Sequence, residues 1–279
     1  MYWSFLYKKS SACRAINKAN KDLDIFQKQI RLKNQEVSDK LQVDTNSNKT
    51  LPNLAINRLI QNSGMYTDQE IKDHVFIFIT GGYETTSFTI ANCLLLLAMH
   101  PDIQDQVLEE ILQEFPTDDD SMIDIESLAK LELLDRVLKE TLRLIPVFPT
   151  VARETMSDYE IKPNVVLPKG TVLCINNYVL HRRKDIWGPR AGEFNPDNFL
   201  PQNVAKRHPY SYNPFSQGKR NCIGYRYAGI SMKIMMMKAL KAFKFNTELK
   251  YNELSFQADA SLKICSEHLL SVEQRVMQI

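Results

Sequence analysis

Glycine is scarce in this chain of 279 residues, at 9, and tryptophan scarcer still, at 2. No stretch approaches the roughly 18 consecutive apolar residues that a membrane-spanning helix needs. With 12 prolines and 24% charged residues, collagen-like, low-complexity and disordered compositions are excluded. Charge of one sign is also missing. The formal balance is +2 and no basic stripe dominates, so nucleic acid is not expected as a partner. The five cysteines (Cys13, Cys93, Cys174, Cys222 and Cys265) are odd in number and dispersed, which argues against a disulfide framework and for a reducing compartment. Residues 1–9 lack the order of charged, apolar and small regions that marks a signal peptide, and no internal repeat is visible. What is present is apolar residues, 44% of the chain, enough for a sizeable core in one large domain or two small ones.

The helical signals come first. Residues 8–37 carry Ala15, Ala19, Leu23, Phe26 and Ile30 at helical spacing among Lys, Asn and Gln, which predicts an amphipathic surface helix. Residues 42–53 are turn-formers and predict a loop. Thr67-Asp68-Gln69-Glu70 has the spacing of a capping box, and the apolar stretch from Ile71 to Met99 predicts a central, largely buried helix. Pro101 opens another helix ending near Phe115. Asp118–Asp120 predicts a solvated acidic loop, and Leu128 to Leu144 one further helix stopped by Pro146 and Pro149. Then the pattern changes to short strands around Tyr159–Ile161, Val165–Leu167 and Thr171–Ile175, separated by turns at Pro163-Asn164 and Pro168-Lys169-Gly170. An aperiodic stretch over 182–221 is long enough to be functional. A last long helix over 223–243 and a few short strands close the chain. The fold class is mainly α with a minor β-sheet.

The segment Phe215-Ser216-Gln217-Gly218-Lys219-Arg220-Asn221-Cys222-Ile223-Gly224 concentrates the chemistry. Its cysteine stands just ahead of a helix, where unpaired amides and the helix dipole favour an anion. Such placement lowers a thiol's pKa, and the thiolate is the metal-binding form. Gly218 and Gly224 permit backbone conformations and approaches that side chains block. Arg220 offers a bidentate fork to a carboxylate. The loop resembles the cytochrome P450 pattern F-x-x-G-x-R-x-C-x-G at every fixed position. Five fixed residues at about 5% frequency each give a chance match on the order of 1 in 10,000, against which a buried structural cysteine loses.

The resemblance implies that Cys222 ligates the iron of heme b (iron protoporphyrin IX) and that Arg220 pairs with a heme propionate, with Phe215, Gly218 and Gly224 shaping the loop. Thiolate ligation favours O–O cleavage. Gly81-Gly82-Tyr83-Glu84-Thr85-Thr86 sits inside the long apolar helix, where two glycines cost roughly 1 kcal/mol each against alanine. By itself the segment reads equally as a kinked helix with Thr85 bonded back to the Gly81 carbonyl. It also resembles the family's distal motif [AG]-G-x-[DE]-T-T, by which Gly82 leaves room for dioxygen, Thr85 hydrogen-bonds it and Glu84 relays protons.

Glu140 and Arg143, at i and i+3, make a pair that on a surface contributes under about 1 kcal/mol. They match the family's E-x-x-R motif, where the pair is buried and structural. The partner motif F-x-P-[ED]-R-F reads Phe194-Asn195-Pro196-Asp197-Asn198-Phe199, with Asn198 in the place of arginine. The network is therefore expected to be one charge short and the clamp weaker. By the same resemblance Arg153 is a second propionate arginine, against the alternative of an exposed strand residue, and Phe78, Gly81, Val147 and Val151 line the substrate pocket. His181 is expected to be structural and Met235–Met237 to fill the core. Lys206, Arg207, Lys219, Arg226 and Lys233 form either a face for an acidic electron donor or a solvated surface.

The resemblance covers nearly the whole chain, most firmly 67–275. Its phrasing at Ile186-Trp187-Gly188 and Asn195–Pro201 is most similar to insect microsomal P450s of the family 4 clan. Gly81 replaces the glutamate that can esterify heme there, so non-covalent heme is expected. The resemblance implies the C-terminal portion of the fold, from distal helix to last helix, with the N-terminal half absent. Residues 1–66 are then segments preceding the distal helix, and 67–279 the heme-binding core of a single domain. It implies a monooxygenase acting on a small apolar substrate. The resemblance further implies electrons from NADPH through NADPH-cytochrome P450 reductase, with cytochrome b5 as a further expected donor, and a location on the cytosolic face of the endoplasmic reticulum membrane, with the N-terminal anchor expected to be missing. The alternatives are a thiolate-heme isomerase or dehydratase that does not activate O2, and a truncated, non-catalytic remnant.

Overall fold

The computed structural model describes residues 64–117, 123–265 and 270–275, together with isolated helical positions between 18 and 36. The expected helix on Ala15, Ala19, Leu23, Phe26 and Ile30, the loop over 42–53 and the acidic loop Asp118–Asp120 lie outside the described residues. Two compact units divide the chain, Met1–Gly81 and Gly82–Ile279.

Helix α1, Asp68–Met99, starts where the capping box places it. The Glu70 amide donates to Thr67 Oγ1 at 3.2 Å and the Thr67 amide to Glu70 Oε2 at 2.7 Å, so two of the helix's open donors are satisfied. The expectation of a largely buried helix holds only for its second half. Phe76, Ile77, Phe78 and Tyr83 are exposed, whereas Cys93 and Leu95–Ala98 are buried. Periodicity and run length report how apolar a helix is, not which neighbour covers it. Among the described residues no helix is long and apolar enough to cross a membrane.

Helix α2, Pro101–Glu114, is followed by two helices where the sequence predicts one: α3, Ile125–Ala129, and α4, Glu132–Leu144. No breaker residue separates them. The division comes from α2. Glu110 accepts the Leu133 and Leu134 amides on its two carboxylate oxygens, at 2.6 and 2.9 Å, and so starts α4 without a local cap. Leu131 at the turn is buried. Strands β1 (Thr150–Glu154), β2 (Tyr159–Lys162), β3 (Val165–Leu167) and β4 (Val172–Asn176) follow, then short helices α5 (Asn177–Leu180), α6 (Lys184–Trp187) and α7 (Pro201–Val204). Helix α8, Tyr225–Ala242, runs into β5 (Phe243–Asn246), and β6 (Phe256–Ala258), β7 (Leu262–Ile264) and β8 (Ser271–Gln274) end the described chain. The strands pair antiparallel in four separate two-stranded ladders, β1 with β4, β2 with β3, β5 with β8 and β6 with β7. A mainly helical fold with minor sheet is thus what forms.

The core of the second unit joins Cys93, Leu96 and Leu97 of α1, Val107 and Ile111 of α2, Leu134, Val137 and Leu138 of α4 and Met232, Met236, Met237 and Leu240 of α8. Two of the three consecutive methionines fill this core as expected, while Met235 points outward at 54% exposure. Gln104, fully buried, joins α2 to β5. Its Oε1 accepts the Phe245 amide at 3.0 Å and its Nε2 donates to the Phe245 carbonyl at 2.8 Å and the Leu97 carbonyl at 3.1 Å. A buried amide with these bonds met carries no desolvation penalty into the fold.

Candidate functional site: a thiol loop and its clamp

The chain entering α8 is folded back on itself. Ser216 (φ 58°) and Gly218 (φ 80°) both take left-handed conformations, Gly218 without a side chain to object. The Ser216 amide donates to the Asn213 carbonyl at 3.2 Å, and Gly218–Arg220 makes a 3-10 turn. The Cys222 amide then donates to the Phe215 carbonyl at 2.9 Å, closing the loop. Phe215 anchors it by packing on the core, and the Cys222 side chain stands exposed as a free thiol. Gly224 is the residue before α8, and a Cβ there would lie 3.9 Å from Cys222 Sγ, an ordinary van der Waals contact.

Arg153 arrives from β1. Its Nη2 donates to Ser216 Oγ at 3.0 Å and reaches the Arg220 carbonyl at 3.5 Å. The first bond helps hold Ser216 in a conformation that a non-glycine residue adopts at a cost of roughly 1 kcal/mol. Two arginines 67 positions apart are thereby brought to one loop. Among the described residues neither guanidinium meets a carboxylate. The loop therefore carries an exposed thiol together with two arginine forks of the kind that can meet a ligand bearing planar acids.

Behind the loop lies the pair predicted from spacing. Glu140 and Arg143 are both fully buried. Arg143 Nε donates to Glu140 Oε2 and Nη2 to Glu140 Oε1, each at 2.7 Å. The other donors go to the carbonyls of His181 (2.8 Å), Ala191 (2.6 Å) and Glu193 (2.9 Å), so all five N–H groups of the guanidinium are used. Glu140 Oε1 also accepts the Asn195 amide at 2.8 Å and Asn198 Nδ2 at 3.0 Å. Asn198 therefore joins the clamp through a neutral amide, as its identity required. The spacing of Glu140 and Arg143 did not disclose the three carbonyls, which bind the 181–193 segment to α4.

His181 connects the clamp to the loop. Its carbonyl accepts from Arg143, and its ring Nε2 accepts the Asn213 amide at 3.0 Å. The ring is fully buried, as the structural role expected for it demands. Burial, reinforced by the Arg143 charge, pulls its pKa from 6.5 down to about 4. The unfolded chain therefore binds this proton more readily than the folded one. Stability is whole above about 6.5 and is lost as pH falls toward about 4. The full difference is about 3 kcal/mol. Urea midpoints measured across this window should fall more steeply for the native chain than for His181→Gln; parallel slopes would exclude His181 as the titrating group.

The remaining predicted residues are dispersed. Glu84 is exposed and Thr85 half-buried on α1, where Thr89 Oγ1 donates to the Thr85 carbonyl at 2.9 Å. A Cβ at Gly81 or Gly82 meets no atom within 4 Å, so packing does not account for either glycine. Phe78 and Gly81 belong to the first unit and are exposed. In the second, Val147 is buried, with its carbonyl accepting the Leu262 amide at 2.8 Å, and Val151 is half-buried on β1 opposite Ile175. The five basic residues differ in exposure. Lys233 Nζ donates inward to the Leu128 carbonyl and lies 3.4 Å from Asp135, and Arg207 stacks on Trp187, so only Lys206, Lys219 and Arg226 stay exposed.

Among the described residues no three His, Cys, Asp or Glu side chains group into a metal cage. One thiol suits a metal that brings its other ligands with it, and the paired arginines suit a macrocycle bearing carboxylates. Heme fits this donor set. Fold and loop together describe a helix-rich protein with one exposed thiol in a closed loop ahead of its last long helix. The family model for cytochrome P450 matches residues 1–267. The chain is 40% identical to the probable cytochrome P450 313a1 of Drosophila melanogaster over 80% of its own length and 46% of the relative's. It is 36% identical to cytochrome P450 3A12 of Canis lupus familiaris (80% and 44%) and 36% identical to the probable cytochrome P450 4p2 of Drosophila melanogaster (73% and 39%). The chain belongs to the cytochrome P450 family. It spans less than half the length of these relatives.

Proposed function

We propose that residues 67–279 form the heme-binding core of a monooxygenase that inserts one atom of O2 into a small apolar substrate: RH + O2 + 2 e⁻ + 2 H⁺ → ROH + H2O. The observation that carries this function is the closed loop of Phe215–Cys222, which presents one exposed thiol beside Arg153 and Arg220. Heme, when bound, would supply the oxygen activation, tuned by thiolate ligation. The chain's own residues do the rest. Cys222 gives its sulfur as a thiolate, and Arg153 and Arg220 hold the two propionates. On α1, Gly82 would leave space beside the cofactor, Thr85 would hold a proton on its hydroxyl and Glu84 would pass protons in from solvent. Val147 and Val151 contribute apolar side chains to the substrate pocket.

Electrons come from NADPH through a reductase, docked on exposed Lys206, Lys219 and Arg226, with cytochrome b5 as a second donor. A membrane site on the cytosolic face of the endoplasmic reticulum goes with that partner. The hydroxyl-and-acid pair Thr85 and Glu84 favours O2 chemistry over rearrangement of a peroxide or oxime. The test is the absorption spectrum of the chain saturated with hemin, reduced and exposed to CO. A long-wavelength Soret band of thiolate type is the result expected, and a band of the histidine-ligated type would overturn the proposal.

A further inference from the structure

Asn198 leaves the Glu140 clamp without the second guanidinium that the family motif supplies at that position, yet the structure brings another one to it. Arg207 lies outside the motif, beyond α7. Its Nη2 donates to the Asn198 main-chain carbonyl at 2.5 Å, while Asn198 Nδ2 donates to Glu140 Oε1 at 3.0 Å. One residue thus stands between the Arg207 charge and the buried carboxylate. The Arg207 guanidinium lies 4.2 Å from the centroid of the buried Trp187 ring, and the Arg143 guanidinium lies 5.0 Å from the same centroid. Phe199, the residue after Asn198, lies 5.7 Å from Arg207 on the same scale. Among the described residues no carboxylate touches Arg207, which is half-buried.

We infer that Arg207 is a positioning residue that supplies, through the Asn198 carbonyl and the Trp187 ring, the cation that Asn198 lacks. Three features carry this. First, Oε1 of Glu140 already accepts three bonds, from Arg143, Asn195 and Asn198, so a neutral amide completes it and extra positive charge is useful only at longer range. Second, an aromatic face lets a partly desolvated guanidinium sit without a carboxylate of its own. Third, burial lowers the Arg207 pKa and the Arg143 charge adds to that, while the Glu140 charge acts in the opposite direction and so favours the protonated guanidinium near the clamp. The inference concerns the clamp alone and does not depend on what Cys222 binds.

A charge moved from one residue to another is revealed by rescue. Thermal unfolding of the full chain, followed by circular dichroism at neutral pH, compares Arg207→Gln in the native and Asn198→Arg backgrounds. Arg207→Gln should lower the midpoint by roughly 4 to 8 °C in the native background. With Asn198→Arg present, the loss should shrink to less than half, because the new guanidinium meets Glu140 directly. Asn198→Arg alone should gain little, since two cations would then compete for one carboxylate. Arg207→Lys, which keeps the charge but not the planar fork, should retain more than half of the Arg207→Gln difference. Equal losses in both backgrounds, or Arg207→Lys as damaging as Arg207→Gln, would reduce Arg207 to a packing residue and overturn the inference. Should Arg207→Gln fail to fold, a folded Asn198→Arg/Arg207→Gln chain supports the relocation and a second failure refutes it.

Discussion

Cys222→Ala is expected to abolish the thiolate-type Soret band of the hemin-loaded, reduced, CO-bound chain, with no residual fraction. A change this complete follows from how the other thiols among the described residues are placed. Cys93 is fully buried, and burial pushes its pKa from 9.0 up to about 12, so it stays a neutral thiol at any working pH. Cys174 lies on β4 and Cys265 just after β7, both exposed but neither on the loop that Arg153 and Arg220 share. Cys174→Ser and Cys265→Ser should therefore leave the band unchanged. The Cys222 amide, not its side chain, closes the loop onto Phe215, so the alanine variant should keep the fold, with an unfolding free energy within about 1 kcal/mol of the native chain. Cys222→His should restore iron binding with a band of nitrogen-ligated type. A thiolate band that survives in Cys222→Ala would assign the ligand elsewhere and remove the basis of the proposed function.

Breaking the Glu140–Arg143 pair from either side is the second large effect. Glu140→Leu leaves Arg143 charged and buried with two of its five donors unmet, and Arg143→Leu leaves a buried carboxylate and three carbonyls without their donor. Each should cost about 3 to 5 kcal/mol, which for a chain of this size moves the thermal midpoint down by roughly 6 to 15 °C. An exposed pair at the same spacing would contribute under about 1 kcal/mol, and the difference is burial. Arg143→Lys should recover little, because a single ammonium cannot reach two carboxylate oxygens and the carbonyls of His181, Ala191 and Glu193 together. The double replacement by leucine should cost less than the sum of the singles, yet more than nothing, since the three carbonyls and the Asn195 amide stay unsatisfied. A loss below about 1 kcal/mol for either single variant would mean that the pair is not the clamp its geometry describes.

The parts legible from the sequence share one property: they are local. The capping box of Thr67 and Glu70 involves four consecutive residues, and it forms as its spacing requires. The turns at Asn164 and Gly170 take their positive φ from residues suited to it. The loop around Cys222 was recognisable because its chemistry needs fixed residue types within ten positions. The split of the 128–144 helix was not legible, because Glu110, on another helix, makes the break. Nor was the exposed half of α1, whose apolar residues would have looked the same against any neighbour.

His181 and Arg207 show the same division. In the sequence each is one polar residue among many, His181 expected to be structural and Arg207 to belong to a docking face or a solvated surface. Neither carried a signal of its contacts, because the groups they meet, Asn213 for one and Asn198 and Trp187 for the other, come from separate segments. Sequence alone determined which side chains are available for the chemistry: one thiol in a glycine-flanked loop, arginines to flank it, an acid and a hydroxyl on a long helix. Tertiary structure decided which charges are buried, which carbonyls they hold and where the second cation sits. Those outcomes depend on desolvation and on bonds across long separations, and both exist only once the segments have met.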